Sequence, residues 1–361
     1  MAIRIPLAKT DIGPDEIASV SQVMVGGRLA FGPEIERFEK TFAEYHGVPD
    51  AVMVNSGTSA LMISLLASGI SAGDEVIMPS LTFVGTVNAI LAAGATPVLV
   101  DVNAETANID VSSIKCAITK QTRAIVPVHL YGLPANMENI SEVADDGSLK
   151  VIEDACEALG ALLNGVRVGS IGDAGVFGFY PNKVLTTGEG GMIISHDEAF
   201  LSVCRSAINQ GRSSKESINF PGYSLRGSEL GAAIGRVQLD SLDQRISRRQ
   251  KIAEHYINAV SRIPRLGILG TNIPRSWFTF PVILPSGVCR SEIMLRLLEK
   301  GIESASYFPA VHTQKMYRQC VRISGNLAVS EDLGNRVLCL PFWPGVEAHI
   351  AEIVESVGVL L

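Results

Sequence analysis

The chain lacks any CxxC pair or repeated cysteine spacing. Its six cysteines, Cys116, Cys156, Cys204, Cys289, Cys320 and Cys339, are scattered, so neither a zinc site nor a disulfide framework is encoded and buried reduced thiols are expected. It also lacks a basic run. With a formal net charge of -7 it offers no clustered Lys and Arg of the kind that neutralise phosphates, which argues against nucleic acid as a partner. No apolar stretch reaches the roughly 18 residues of a membrane span. The apolar run in MAIRIPLAKTD is too short for a signal peptide, so a soluble, cytoplasmic protein is expected. Internal repeats and low-complexity tracts are absent as well. Charged residues are scarce, at 19% against 47% hydrophobic, which fits an α/β protein whose sheet is covered on both faces. At 361 residues there is room for one large and one small domain.

Short apolar runs alternate with helix-length amphipathic segments through the first 200 or so residues. AVMV (51–54), EVIM (75–78), TPVLVD (96–101), AIVPVHL (124–130), KVIED (150–154), AGVFGF (174–179) and GMIIS (191–195) read as strands, and their near-continuous apolarity marks strands buried on both faces. PEIERFEKTFAEYHG opens with Pro33 at a helix start and aligns Ile35, Phe38, Phe42 and Tyr45 on one stripe. This β-then-α order predicts a mostly parallel sheet with ligands at the carboxyl ends of its strands. The chain then reads as long helix from about Ser228 to Ile263, with Arg245, Arg248, Arg249 and Lys251 on a solvated face. WFTFPVIL, SEIMLRLLEKG, IESASYF and AHIAEIVESV read as strand, helix, strand and helix. The division expected is a large domain over 1–245 and a small C-terminal domain over 246–361.

Three strand ends carry unusual residues. After AVMV, Ser56, Gly57, Thr58 and Ser59 lead into a helix. Exposed N–H groups and a close-approaching glycine there suit a phosphate, and the same residues suit ordinary N-capping. After KVIE comes Asp154, a carboxylate at the end of an apolar strand that needs a cationic partner. An arginine elsewhere in the fold or a protonated ring nitrogen of a cofactor would serve. Glu157 follows one helical turn on. After AGVFGF comes Lys183, then Thr186, Thr187 and the turn Gly188-Glu189-Gly190-Gly191. A lysine in an apolar pocket loses the solvation of its ammonium and becomes a usable nucleophile and general base. A phosphate cradle, an acid for a pyridinium and a desolvated lysine, in this chain order, are what pyridoxal 5'-phosphate requires. A dinucleotide site would need GxGxxG after the first strand, which NSGTSAL does not supply.

The stretches GPEIERFEKTFAEYHG, NSGTSAL, DEVIMPSLTFVGT, GATPVLVDV, PVHLYG, IEDACEALGA, FYPNKVLTTGEGGMI and GYSLRGSELGAAIGRVQLDSLD resemble the DegT/DnrJ/EryC1/StrS family of pyridoxal-phosphate sugar aminotransferases, including its perosamine-type members. The likeness runs over nearly the whole chain. It implies the fold type I architecture (aspartate aminotransferase-like), with Lys183 forming the Schiff base and Asp154 keeping the ring nitrogen protonated. By the same resemblance Ser56, Gly57 and Thr58 bind the phosphate, Phe83 stacks on the ring, and Glu157 contacts its phenolic oxygen. Ser224 then reaches the partner subunit's phosphate, and His312 lies near the sugar. A structural role serves His312 equally well, and His129 is expected to orient the interior. Two positions depart from the commoner family pattern: Gly178 and Ser224 stand where many members carry a serine and an asparagine that hold the phosphate.

The implied reaction is transamination from glutamate to a keto deoxy nucleotide sugar, in a homodimer that shares its active sites, for an amino sugar of a surface polysaccharide or a glycosylated metabolite. No metal is implied. A cyclitol acceptor and a non-catalytic sensor that keeps the fold are the alternatives, and retention of Lys183 and Asp154 speaks against the second. The deoxygenating branch of the family carries histidine at the lysine position, which Lys183 excludes.

Overall fold

The computed structural model describes residues 3–214, 216–270 and 273–361. Two helices come first, α1 (Pro14–Gly26) and α2 (Pro33–His46), each with proline in its first turn and closed by a left-handed glycine, Gly27 or Gly47, both at φ 70°. Six strands and four helices then alternate: β1 (Asp50–Val54), α3 (Gly57–Ala67), β2 (Glu75–Pro79), α4 (Val84–Ala92), β3 (Thr96–Val100), α5 (Val111–Ala117), β4 (Thr122–Ile125), α6 (Met137–Gly147), β5 (Lys150–Asp154) and, after a short hairpin of β6 (Leu162–Leu163) and β7 (Val166–Arg167), β8 (Ala174–Gly178). That hairpin turns on Asn164 and Gly165, at φ 50° and 84°, the left-handed pair that a two-residue type I′ turn requires. Next come β9 (Gly191–Ser195), α7 (Glu198–Ala207), α8 (Glu229–Asp240), α9 (Leu242–Val260), β10 (Phe280–Ile283), α10 (Arg290–Glu299), β11 (Arg322–Ile323), α11 (Ala328–Arg336), β12 (Val337–Leu340) and α12 (Ile350–Val359). No described helix is long and apolar enough to cross a membrane.

Eight strands form one sheet in the order β1-β9-β8-β5-β4-β2-β3-β11. Every pairing is parallel except those of β9, which runs against both β1 and β8. The carboxyl ends of β1, β2, β5 and β8 therefore lie on one edge, and β9 delivers its amino end there. Alternate residues of one strand enter different cores: Val52 and Val54 pack with α3, α4 and α7, while Ala51 and Met53 pack with α2 and α8. Both faces are covered, which is why the strands read as unbroken apolar runs. A separate core joins α9, α10 and α12 to the β10–β12 pair, with Phe280 stacked on Tyr256 at 4.5 Å and on Trp277 at 5.3 Å. The expected boundary at 245/246 falls inside α9.

Four local readings need correction. AIVPVHL is strand only to Ile125, because Pro127 has no N–H to give a ladder. The expected helix over 228–263 is two helices, broken at Ser241 (φ -110°, ψ 12°). IESASYF makes only isolated pairings, Ile302 with Ile5 and Ala305 with Cys339. The basic cluster is not one solvated face: Arg248 and Lys251 are exposed, but Arg249 is buried and donates to the carbonyls of Trp277 (3.4 Å) and Phe278 (3.1 Å). Arg245 pairs with Asp11 and Glu16 at 3.1 and 2.7 Å.

Candidate active site

A cavity of about 510 Å³ opens at the carboxyl edge of the sheet, and Ser56, Gly57, Thr58, Phe83, Asp154, Glu157 and Lys183 all line it. The segment between β8 and β9 that carries Lys183 is tied back onto the sheet. Lys183 N donates to the Tyr180 carbonyl, Thr186 Oγ1 and Thr187 N both donate to that of Phe179 at 2.8 and 3.0 Å, and Thr186 N donates to Gln238 Oε1 on α8 at 3.0 Å. Only 16% of the Lys183 side chain is exposed; its Nζ lies 3.7 Å from Glu157 Oε1 and 3.9 Å from the centre of the Phe278 ring. Its acidic neighbour is thus supplied by the segment that follows β5. Burial pushes the Glu157 carboxyl above the usual carboxylate range, against the pull of Lys183 and of the Tyr131 N–H that it accepts at 2.9 Å.

Asp154 ends β5 inside the cavity. Its carboxylate accepts from Thr86 Oγ1 at 2.9 Å and from Cys156 N at 3.2 Å and is 6% exposed. Among the described residues it enters no ion pair, so a cationic group that would offset its burial has to come from outside the chain's own packing. At the start of α3 the capping reading of NSGTSAL is observed directly, and the same residues border the cavity. Ser56 caps the helix by accepting from Ser59 N at 3.1 Å, while Gly57 and Thr58 face the cavity. Gly57 is required sterically: a Cβ there would lie 2.7 Å from Cys156 Sγ and 3.2 Å from Gly178 Cα. Phe83 is 54% exposed. Its ring meets Phe308 at 5.5 Å and leaves a large aromatic surface open at the cavity, which excludes a core role.

Two expected site residues stand apart from this cluster. Ser224 is exposed and accepts from Arg226 at 3.0 Å, outside the cavity of its own chain. His312 does not line the cavity either. It hydrogen-bonds Ser80 through Nδ1 at 2.6 Å and Glu331 through Nε2 at 2.9 Å, tying the turn that follows Ala310 to the β2 end and to α11. His129 is fully buried, accepting from Ala135 N at Nδ1 and directing Nε2 to Glu153 at 2.9 Å. Burial alone would raise the Glu153 carboxyl, but His129 and three backbone N–H groups of residues 169–172 hold it below its usual range. Sequence reasoning missed Cys156, Asn182, Phe278, Tyr307 and Phe308, which also line the cavity. Cys156 and Asn182 flank Asp154 and Lys183 within motifs already singled out. The other three arrive from far downstream with no local signal.

The residues present suit pyridoxal phosphate: backbone N–H groups at a helix start for its phosphate, an unpaired buried carboxylate for its ring nitrogen, an open aromatic face for its ring and one desolvated amine for its aldehyde. Residues 10–358 match the DegT/DnrJ/EryC1/StrS aminotransferase family. The chain is 38% identical to GDP-perosamine synthase of Escherichia coli O157:H7 over 91% of its own length and 90% of that protein's, and 37% identical to the GDP-perosamine synthase of Caulobacter vibrioides over 91% of each. Its fold matches the solved structure of S. venezuelae DesV with a TM-score of 0.89 and 35% identity, covering 95% of this chain and 93% of that one. The chain belongs to the DegT/DnrJ/EryC1/StrS aminotransferase family and is a pyridoxal-phosphate-dependent transaminase.

Proposed function

We propose that the protein transfers an amino group from glutamate to a keto deoxy sugar carried on a nucleotide, making an amino sugar for a surface polysaccharide or a glycosylated metabolite. The observation that carries this reading is the convergence of Lys183, Asp154, Phe83 and the α3 start in one cavity. It is supported by the similarity to two proteins named GDP-perosamine synthase.

Bound pyridoxal phosphate supplies an aldehyde for the amino group and a ring that takes up the electron pair released when a C–H bond at the amino-bearing carbon breaks. The chain's own residues do the rest. Asp154 holds the proton on the ring nitrogen, and Thr86 and Cys156 N hold Asp154. The Nζ of Lys183 would hold the aldehyde and, as a free amine, would serve as the base that takes up a proton and gives it back. Glu157, 3.7 Å from that amine, steadies it, and Phe83 would offer its open face to the ring.

We read the active form as a homodimer in the cytoplasm. The cavity wall carries Asp154, Glu157 and Glu189 against Lys183 alone, although the phosphate, the donor and a nucleotide sugar are all anions. Cations from a second copy would redress that balance, and Arg226, which donates to the exposed Ser224 outside the cavity of its own chain, is the residue we assign to that role.

The test is to follow the cofactor's visible absorption as purified enzyme meets glutamate and then a panel of keto nucleotide sugars. Glutamate should convert the cofactor to its amine form, and a keto nucleotide sugar should restore it. Restoration by a keto inositol alone would move the acceptor to the cyclitols, and no response to glutamate would remove the proposed donor.

A further inference from the structure

Beside Lys183 the cavity wall holds two polar groups that the reading above leaves unused. Asn182 immediately precedes the lysine, and its Oδ1 is buried without a hydrogen-bond partner. The Tyr307 hydroxyl lies against the Asn182 amide, and burial pushes that phenol up to about 12, so it keeps its proton through the physiological range. Tyr307 is itself held in place: its carbonyl accepts from the Tyr131 hydroxyl, and its ring stacks on Phe278 at 6.1 Å and 12°. Phe278 is the ring that lies 3.9 Å from Lys183 Nζ. Tyr307 thus adjoins Lys183 across the Phe278 ring, Asn182 precedes the lysine in the chain, and both line the same cavity as that amine.

Resting on the proposed acceptor class, we infer that Asn182 and Tyr307 form a reader of the hydroxyl on the sugar carbon next to the one that receives nitrogen. An unpartnered acceptor and a retained O–H donor side by side match a group that donates and accepts at once, which a hydroxyl does. An ether or carbonyl oxygen at that place leaves Asn182 Oδ1 unpaired. A methylene leaves both unpaired, and an unmade hydrogen bond at a buried polar atom is costly.

The experiment compares two keto nucleotide sugars that differ only in the hydroxyl or hydrogen at that neighbouring carbon. Wild-type enzyme should favour the hydroxylated one in kcat/KM by roughly 10- to 100-fold, the cost of one to two unmade neutral hydrogen bonds. Asn182→Ala and Tyr307→Phe, checked for folding by their cofactor spectra and thermal midpoints, should each bring that ratio towards unity, mainly by slowing the hydroxylated sugar. Equal treatment of the two sugars by wild-type enzyme overturns the inference while leaving the acceptor class standing. An equal loss on both sugars in the variants overturns it too, as does a shifted cofactor absorption band with an unchanged ratio, which would give the pair to the cofactor instead. If neither sugar restores the cofactor in wild-type enzyme, the acceptor class falls and the inference with it.

Discussion

Asp154 is a buried carboxylate in the cavity wall with no ion-pair partner among the described residues. Asp154→Asn keeps the shape and its hydrogen bond from Thr86 but cannot hold a proton on the ring nitrogen. Its kcat should fall about 10²- to 10³-fold, the scale on which one electrostatic partner of a developing charge acts, with the fold intact by circular dichroism. Glu157 makes a prediction about stability. Burial lifts its folded carboxyl above the ordinary value of about 4.5, so the folded state keeps the proton to higher pH than the unfolded chain does. Stability present below about pH 4.5 is then lost as pH rises through the folded value. In enzyme stripped of cofactor, Glu157→Gln should raise the thermal midpoint at pH 7 relative to wild type and leave it nearly unchanged at pH 4. At this scale the sequence was informative where a residue stands at or just past a strand end: Lys183, Asp154, Glu157, Gly57 and Thr58 all line the cavity from such positions. Phe278 and Tyr307 were not legible, because their proximity to Lys183 is made by tertiary packing more than 90 residues along the chain. Arg249 looked solvated because nothing local shows that the carbonyls of Trp277 and Phe278 receive it.

Among the elements, α2 has the most legible logic: proline at its start, glycine at its end and an apolar stripe at helical spacing. Its last residue, His46, is buried between Phe42 at 4.4 Å and Phe177 at 4.7 Å, and burial lowers its imidazole from 6.5 to about 4. Between those values the unfolded chain binds the extra proton and the folded chain does not. Stability therefore falls as pH drops from about 6.5 towards 4, by roughly 3 kcal/mol at the lower end. His46→Phe should flatten denaturant-derived stability against pH over pH 4.5 to 6.5 by close to one proton's slope, and an unchanged slope would contradict the assignment. The strands were legible in place but not in direction. GMIIS is as apolar as its parallel neighbours, and only the short β8–β9 connection, which returns the chain to the same edge, makes β9 antiparallel. AIVPVHL was overextended because apolarity outvoted the proline inside it, and the break at Ser241 is a backbone change without a Gly or Pro to announce it.

For the whole molecule, the acidic cavity and the exposed Ser224 beside half-buried Arg226 together predict that sites are completed across a dimer. Subunits carrying Lys183→Ala and Arg226→Ala should each be weakly active alone. Unfolded together and refolded in equal amounts, they should recover about a quarter of wild-type activity, because half of the dimers are then mixed and each holds one intact site of two. No gain over the separately refolded variants would contradict sharing through Arg226. The central claim concerns the amine that carries the cofactor, and reduction with borohydride followed by peptide mapping of the holoenzyme reads it directly. The account predicts a pyridoxyl group on the peptide containing Lys183 and on no other; a reduced, cofactor-labelled protein with Lys183 unmodified would contradict it.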